Sequence, residues 1–221
     1  MLSRELLPPT LPVDPMPLFA EWFALARERK LQPNPDCMVL ASVTEAGRPS
    51  ARVVLCKHLA PAEGYIVFFT NYRSRKGREL SERPYAASVF HWDALHRQVR
   101  IEGRVVHSPE AESDAYFATR ALDSRIGAWA SEQSAPLGSR AELEDHVRAA
   151  REKFGIVAGA GEGNVPRPPH WGGFRLWIES IELWIEGANR VHDRAVWKRT
   201  LQSRDRYSFT PSEWVATRLY P

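Results

Sequence analysis

The strongest constraint on the fold is a series of short segments rich in β-branched and aromatic residues, separated by turns. The first three read CMVLASVT (37–44), ARVVLCKH (51–58) and GYIVFFT (64–70), and EAGRP and LAPAEG separate them. Two more follow at 86–92 and 97–107, and others lie at 172–187, 190–199 and 213–220. Such runs between turn residues are typical of β-strands. We expect the first three to form an antiparallel meander.

Helical patterns flank these strands. Asp14 and Pro15 resemble a helix start, and apolar residues then recur at helical spacing to about Leu31. Further helices are predicted at RKGREL, after Ser108-Pro109, and from a capping box at Ser139. The order of strands, helices and strands excludes a doubly wound parallel sheet. It predicts a mainly β fold with flanking helices, an antiparallel barrel or α+β domain.

Composition and net charge exclude several classes of function. The chain has 221 residues, a net charge of +3 and only two cysteines. The charge is too small and too evenly spread for a nucleic-acid binder, although it suits anionic small molecules. No signal-peptide core, membrane-length apolar run or metal-binding spacing is visible. We expect one domain over residues 1–221, in the cytoplasm, without nucleic acid, membrane or metal.

A basic turn follows the third strand. NYRSRKGREL places Arg73, Arg75, Lys76 and Arg78 at a predicted helix start. Backbone N–H groups at a helix N-terminus, with arginine and lysine, suit a phosphate. A solvated basic turn is the plain alternative, because charge runs usually lie on the surface.

Tyr116, Arg120 and Ser124 recur at intervals of four residues. On one continuous helix they share a face, and their three donors suit a single phosphate. An ordinary amphipathic surface is the alternative, and Leu122-Asp123 is a point where the helix can break.

Arg52 and Lys57 lie on opposite faces if ARVVLCKH is one straight strand. A bulge, a side chain reaching round the strand end, or contacts with different parts of a ligand would each reconcile them.

NRVHDR (189–194) puts Arg190, His192 and Arg194 at alternate positions. In a strand all three share a face, and an anionic ligand is expected in front of them. Asp193, on the other face, is expected to be a structural partner. The glycine-rich GAGEGN (159–164) lacks the strand–loop–helix context of a dinucleotide loop and is rejected.

Six stretches in order resemble the pyridoxamine 5'-phosphate oxidases, the FMN enzymes of vitamin B6 metabolism. They are RVVLCKH, FFTNYRSRKGREL, RQVRIEGR, YFATRALDSRIGAWASEQS, PRPPHWGGFRL and IELWIEGANRVHDR. The resemblance implies an FMN-binding split β-barrel of antiparallel, Greek-key type. It also implies a homodimer with FMN between the subunits, residues 172–221 contributing to dimerisation and the substrate site.

The resemblance also implies roles for individual residues. Arg190 and His192 are expected to be the catalytic residues and to lie at the substrate ring. The residues expected to hold the substrate phosphate are Lys57, Tyr116, Arg120 and Ser124. Those expected around FMN are Arg52, Val53, Val54, Leu55, Cys56, Lys57, Phe69, Thr70, Arg75, Lys76, Gln98, Gln133, Ser134, Trp184 and Arg194.

The implied reaction oxidises pyridoxamine or pyridoxine 5'-phosphate to pyridoxal 5'-phosphate. A hydride passes to flavin N5, and oxygen reoxidises the flavin to give hydrogen peroxide. Two departures stand out. Phe69 occupies a position where tyrosine is common, and Leu6–Val13 is apolar and proline-rich within segment 1–15, which we expect to be flexible. The alternatives are a phenazine-pathway type of flavin oxidase acting on another cyclic substrate, and a non-catalytic flavin- or haem-binding split barrel.

Overall fold

The computed structural model describes residues 6–157 and 163–221, and its strands form one large antiparallel sheet and a small hairpin. The helices are α1 Met16–Arg29, α2 Arg75–Glu82, α3 Glu110–Ala118, α4 Leu122–Ala130 and α5 Arg140–Lys153. The strands are β1 Cys37–Val43, β2 Pro49–Leu55, β3 His58–Ala60, β4 Tyr65–Asn71, β5 Tyr85–Trp92, β6 Arg97–His107, β7 Trp171–Ile185, β8 Asp193–Lys198, β9 Leu201–Ser203, β10 Phe209–Pro211 and β11 Val215–Leu219.

The 15-residue strand β7 organises the sheet. β6 pairs along one of its edges. Its other edge is divided, because β4 pairs with residues 171–177 and β8 with residues 180–185. β4 and β8 therefore lie at opposite ends of β7, and so do the side chains they carry.

The expected antiparallel meander of the first three strands is confirmed for β1 and β2, which pair along their whole length, but β4 pairs with the short β3 and not with β2. β1 pairs with β2 and β5, whereas β4 pairs with β3 and crosses to β7. The segment ARVVLCKH is also not one strand, because β2 ends at Leu55 and β3 begins at His58. The break at Cys56 and Lys57 removes the fixed alternation that set Arg52 and Lys57 on opposite faces.

The main core lies between α1 and the sheet. Phe19, Trp22 and Phe23 of α1 are buried, and Phe19 packs on Phe90 of β5 with ring centroids 5.4 Å apart. Complete burial of one such side chain contributes about 1.5–3 kcal/mol. The helix begins two residues later than Asp14, whose Oδ1 accepts a hydrogen bond from the Met16 backbone N at 2.9 Å.

Both ends of the described chain meet at the start of β8. Asp193 Oδ2 accepts a hydrogen bond from the Leu7 backbone N at 2.8 Å, and Asp193 Oδ1 accepts one from Arg218 Nη1 at 2.7 Å. Trp197 Nε1 donates to the Pro12 carbonyl at 2.8 Å. These contacts agree with the structural role expected of Asp193 and hold residues 7–12 against β8 and β11.

The hairpin of β9 and β10 was not foreseen from the sequence. The glycine-rich segment 159–164 falls largely outside the described residues. Among those that are described, no helix is long and apolar enough to span a membrane, and no cluster of His, Cys, Asp and Glu forms a metal site.

Candidate functional site

The turn between β4 and α2 is built by local capping. The Ser74 Oγ accepts a hydrogen bond from the Gly77 N at 3.2 Å and caps α2. A Cβ at position 77 would lie 2.2 Å from the Tyr72 carbonyl oxygen, so only glycine fits this close approach. The predicted helix start is confirmed, and it brings Arg75 and Lys76 beside the end of β4.

Lys76 is the centre of a polar cluster that joins three parts of the chain. Its Nζ donates to Thr70 Oγ1 at 2.8 Å, Ser74 Oγ at 3.1 Å and Gln133 Oε1 at 2.6 Å. Burial, and secondarily the positive charge of Arg52, lowers the pKa of Lys76 to about 8. A desolvated ammonium of this kind gains much from a neighbouring anion. The family resemblance assigned Thr70, Lys76 and Gln133 to one ligand, and in the structure their side chains are joined by hydrogen bonds.

Ser134 follows Gln133 with a φ of 74°, in the left-handed region. Non-glycine residues seldom adopt this conformation, and those that do cluster at functional sites. The turn thus carries local strain beside the Lys76 cluster.

A buried carboxylate lies behind the basic turn. Glu79 is only 4% exposed, and it accepts hydrogen bonds from Ser42, Ser50, Arg52 and Arg75. Burial alone raises the pKa of Glu79, but these four bonds outweigh it and lower the pKa to about 2. The i,i+4 spacing of Arg75 and Glu79 is a signal that could have revealed this residue. The serine partners had no such signal.

Phe69, Tyr116 and Trp171 form a parallel aromatic stack. The Phe69 and Tyr116 ring centroids are 4.0 Å apart, and the Phe69 and Trp171 centroids are 5.6 Å apart. The Arg120 guanidinium carbon lies 4.7 Å from the centre of the Trp171 ring. Trp171 is a functional candidate that the sequence prediction missed.

One N–H donor group of the Arg120 guanidinium is buried. Its Nη1 is inaccessible to solvent and has no hydrogen-bond partner within residues 6–157 and 163–221. Burial lowers the pKa of Arg120, and the adjacent Tyr116 opposes that shift. An unpaired buried donor is costly, so this geometry suits an anionic ligand.

The prediction that Tyr116, Arg120 and Ser124 share one helical face is wrong. α3 ends at Ala118 and α4 begins at Leu122, so Arg120 lies in the link between two helices. Ser124 lies in the first turn of α4 and is exposed. The break frees Arg120 from the helical register and lets it reach the Trp171 ring.

The strand β2 and its continuation carry the remaining residues predicted near this end. Val53 and Leu55 are exposed on β2, Val54 packs against the core, and Cys56 is buried. Burial raises the pKa of the Cys56 thiol to about 12, which makes it an unreactive thiol. Lys57 helps to line a cleft of about 390 Å³ together with Arg27 and His58 of the same chain.

The other predicted residues lie at the far end of β7. Gln98 of β6 faces Trp184 across the sheet register, and Trp184 faces Arg194 of β8. Arg194 Nε donates to Glu182 Oε1 at 2.9 Å, and its Nη1 donates to the Tyr220 carbonyl at 3.0 Å. Glu182, which orients Arg194, was also not foreseen.

Arg190 and His192 do not continue β8, so the predicted shared strand face is wrong. A short 3-10 turn covers Ala188–Arg190, and β8 begins only at Asp193. Asn189 and Arg190 have φ angles of 53° and 65°, in the left-handed region, which ends any strand there. The Arg190 side chain makes no hydrogen bond within the described part of the chain. The His192 ring lies 4.6 Å from the Trp184 ring, centroid to centroid.

The site residues therefore form two groups. The first surrounds Lys76 and Arg120, and the second surrounds Trp184 and His192. Thr70 lies opposite Gly172, and Trp184 is twelve residues further along β7. At about 3.3 Å per residue this separation is roughly 40 Å for a straight strand, an upper limit for a curved one. A flavin mononucleotide is shorter than that span.

Two family models match the chain. One, described as pyridoxamine 5'-phosphate oxidase, matches residues 26–154, and the other, described as the pyridoxine 5'-phosphate oxidase C-terminal dimerisation region, matches residues 171–221. A pyridoxine/pyridoxamine 5'-phosphate oxidase from Burkholderia mallei is 54% identical over 95% of this chain and 91% of its own length. A protein of the same name from Rhodospirillum rubrum is 49% identical over 94% of this chain and 96% of its own length.

Solved structures give a second comparison. PhzG from Burkholderia lata, in complex with tetrahydrophenazine-1-carboxylic acid, is similar with a TM-score of 0.82 and 30% identity, covering 99% of this chain and 100% of that chain. A pyridoxamine 5'-phosphate oxidase-related FMN-binding protein from Nostoc punctiforme has a TM-score of 0.68 at 14% identity, covering 96% and 100%. This second likeness concerns the fold alone. The predicted antiparallel split-barrel architecture is confirmed.

Proposed function

The chain belongs to the pyridoxamine 5'-phosphate oxidase family, and we propose that it is an FMN-dependent oxidase of B6 phosphate esters. Its substrates would be pyridoxamine and pyridoxine 5'-phosphate, and its product pyridoxal 5'-phosphate. The observation that carries this proposal is the buried Arg120 Nη1, which has no hydrogen-bond partner among the residues that the structure describes. It offers an anion site separate from the Lys76 cluster, and the reaction needs sites for two phosphates.

The first group of residues fits the flavin phosphate. Lys76, with its lowered pKa, supplies positive charge at the N-terminus of α2. So does Arg75, whose terminal NH2 groups make no hydrogen bond within residues 6–157 and 163–221. Charge-assisted hydrogen bonds to phosphate are among the strongest that proteins make. Thr70, Gln133 and Ser134 complete the polar surround, and the edge strand β2 supplies the segment from Arg52 to Lys57.

A homodimer explains why the remaining flavin residues lie so far away. Gln98, Trp184 and Arg194 lie towards the other end of β7 from Lys76, which favours a flavin shared between two subunits over one held within a single chain. In a two-fold dimer each site would combine the first group of one subunit with the second group of its partner. The match of residues 171–221 to a dimerisation region supports this arrangement.

The substrate would lie between the two groups. Lys57, Tyr116, Arg120 and Ser124 would hold its phosphate, and Arg190 and His192 of the partner subunit would contact its ring. When bound, FMN accepts a hydride and delivers the electrons to oxygen. The protein's own contribution is to hold both phosphates so that the two rings stack at reacting distance.

His192 has a defined hydrogen-bonding role in this scheme. Its Nδ1 accepts a hydrogen bond from the Gly187 N at 3.1 Å, so the neutral ring carries its proton on Nε2. The Nε2–H is then a donor for an oxygen or nitrogen on the substrate ring. Arg190, free of protein partners in the described chain, would stabilise negative charge that develops on that ring.

A phenazine-pathway activity is the second candidate, because PhzG shares the fold at 30% identity. The named B6 oxidases have higher identities of 49–54% over nearly the whole chain. Tyr116, Arg120, Ser124, Arg190 and His192 are all present, and a substrate without phosphate does not need the first three. We therefore favour the B6 phosphate esters.

Both cysteines are free thiols, which agrees with the reducing cytoplasm that we propose as the location. The functional test is hydrogen peroxide production in air with three substrates. Pyridoxine 5'-phosphate should be turned over far faster than pyridoxine or a dihydrophenazine carboxylate. Equal rates with and without the phosphate would contradict the assigned phosphate site, and turnover of the phenazine alone would establish the second candidate.

A further inference from the structure

Glu79 lies directly behind the residues assigned to the flavin phosphate. Its Oε2 accepts hydrogen bonds from Ser42 Oγ at 2.6 Å, Ser50 Oγ at 2.7 Å and Arg52 Nη2 at 3.1 Å. Its Oε1 accepts one from Arg75 Nε at 2.8 Å. We propose that Glu79 is a positioning residue that fixes Arg52 and Arg75 for the FMN phosphate. This inference rests on the flavin site proposed above.

Arg52 is held rigidly by this network. Its Nη1 donates to the Leu40 carbonyl and to Ser42 Oγ, and its Nη2 donates to Ser50 Oγ and Glu79. These four bonds use every hydrogen on the two terminal nitrogens, so only the Nε–H is left for a ligand. Arg52 therefore contributes to the phosphate site chiefly through a positive charge at a fixed position.

Arg75 is held at one point only. Its Nε bonds to Glu79, while its two terminal NH2 groups make no hydrogen bond with any residue that the structure describes. The side chain is 58% exposed, in contrast to 5% for Glu79. A guanidinium anchored through Nε and open at both ends is arranged for bidentate contact with a phosphate.

The negative charge of Glu79 allows the proposal to be tested by the direction in which FMN affinity changes. A carboxylate close to a bound phosphate repels it, so removing the negative charge alone would strengthen FMN binding. Loss of positioning would instead weaken it, because Arg75 would sample other rotamers and Arg52 would lose an acceptor. The two explanations thus predict opposite changes in the FMN dissociation constant.

The test uses the full-length dimer and flavin fluorescence quenching. Glu79→Gln should weaken FMN binding by on the order of tenfold, since one charged hydrogen-bond network is lost. Glu79→Asp keeps the charge and shortens the side chain, and it should also weaken binding. Riboflavin, which lacks the phosphate, should bind both variants as it binds the unmodified protein. Unchanged or tighter FMN binding by Glu79→Gln would overturn the proposal.

A double-mutant cycle separates positioning from general stability. If Glu79 acts through Arg75, then Glu79→Gln should have much less effect on FMN affinity in an Arg75→Met background. Equal effects in both backgrounds would overturn the positioning of Arg75, and a lower melting temperature with unchanged FMN affinity would show a merely structural role. If Glu79→Gln does not fold, Ser50→Ala should weaken FMN binding by a few-fold. An unchanged FMN affinity in Ser50→Ala would then overturn the proposal.

The outcomes also distinguish this inference from the function it rests on. An unmodified protein that fails to bind FMN would overturn both. An unmodified protein that binds FMN but oxidises no B6 phosphate ester would overturn only the proposed substrate. Tight FMN binding that is indifferent to Glu79 would overturn only the positioning role.

Discussion

The Arg120 guanidinium stacks on the Trp171 ring, with its central carbon 4.7 Å from the ring centre, and its buried Nη1 is left without a partner in the described chain. We predict that Arg120→Met raises the KM for pyridoxine 5'-phosphate by on the order of tenfold or more, because a charged hydrogen bond to phosphate is lost. FMN affinity should not change. Steady-state kinetics and flavin titration measure the two quantities.

Arg140→Met is the matched control for this substitution, because Arg140 is an exposed arginine on α5 whose one charged partner in the described part of the chain is Glu144. It should leave both quantities unchanged. An Arg120→Met enzyme with an unaltered KM would mean that the substrate phosphate binds elsewhere.

Lys76 makes flavin binding depend on pH. Because its pKa is lowered to about 8, the apoprotein loses this charge as the pH rises through that value. FMN affinity should therefore fall above about pH 8, and Lys76→Met should bind FMN weakly with a flatter pH profile. Flavin titrations from pH 6.5 to 9.5 test this. An identical pH profile in both proteins would contradict the role of Lys76.

The stability of the apoprotein should change in the opposite direction over the same range. The folded pKa of Lys76 is below the usual lysine value of 10.5. The unfolded chain therefore binds more protons between about pH 8 and 10.5, and the contribution of Lys76 to the free energy of unfolding rises with pH there. Urea unfolding of the apoprotein and of Lys76→Met would reveal the difference.

Arg190 makes no hydrogen bond within the described chain and is assigned to the substrate ring. We predict that Arg190→Met lowers the turnover number much more than it lowers FMN affinity, because the lost charge acts only once substrate is bound. Rapid-reaction measurement of flavin reduction and equilibrium FMN binding give the two values. A comparable loss of FMN affinity would show that Arg190 contacts FMN and that its assignment to the substrate ring is wrong.

The separation of the two residue groups along β7 predicts complementation between subunits. Lys76→Met damages the first group, and Arg194→Met damages the second. If each site takes one group from each subunit, a mixed dimer regains one undamaged site. Random exchange should restore about a quarter of the unmodified activity. Activity of the mixture equal to the average of the two inactive variants would contradict a shared site.

The sequence predicted the elements better than their connections. Strands, helix α2 and the capping of α5 follow from local residue patterns, because turns and caps are local chemistry. The pairing of β4 with β7 joins segments about one hundred residues apart, and no periodicity in either segment encodes it. The end of β2 at Leu55 and the left-handed conformations of Asn189 and Arg190 were likewise not indicated by the residue pattern.

The candidate site shows the same division. Lys76, Thr70 and Gln133 were assigned to one ligand through the family resemblance, and their side chains meet. Glu79 and Trp171 were missed. The contact of Glu79 with Arg75 is local and could have been read from its i,i+4 spacing, but Ser42, Ser50 and Arg120 contact the two missed residues from distant segments. A supporting residue is recognised by what it contacts, and contacts across the fold are absent from a single sequence.

Anaerobic mixing of the FMN-loaded protein with pyridoxine 5'-phosphate tests the central claim most directly. We predict that the yellow oxidised flavin bleaches within the time of one turnover and recovers its colour when oxygen is admitted. Pyridoxamine 5'-phosphate should do the same. A protein that binds FMN yet keeps its oxidised spectrum with both esters would contradict the account.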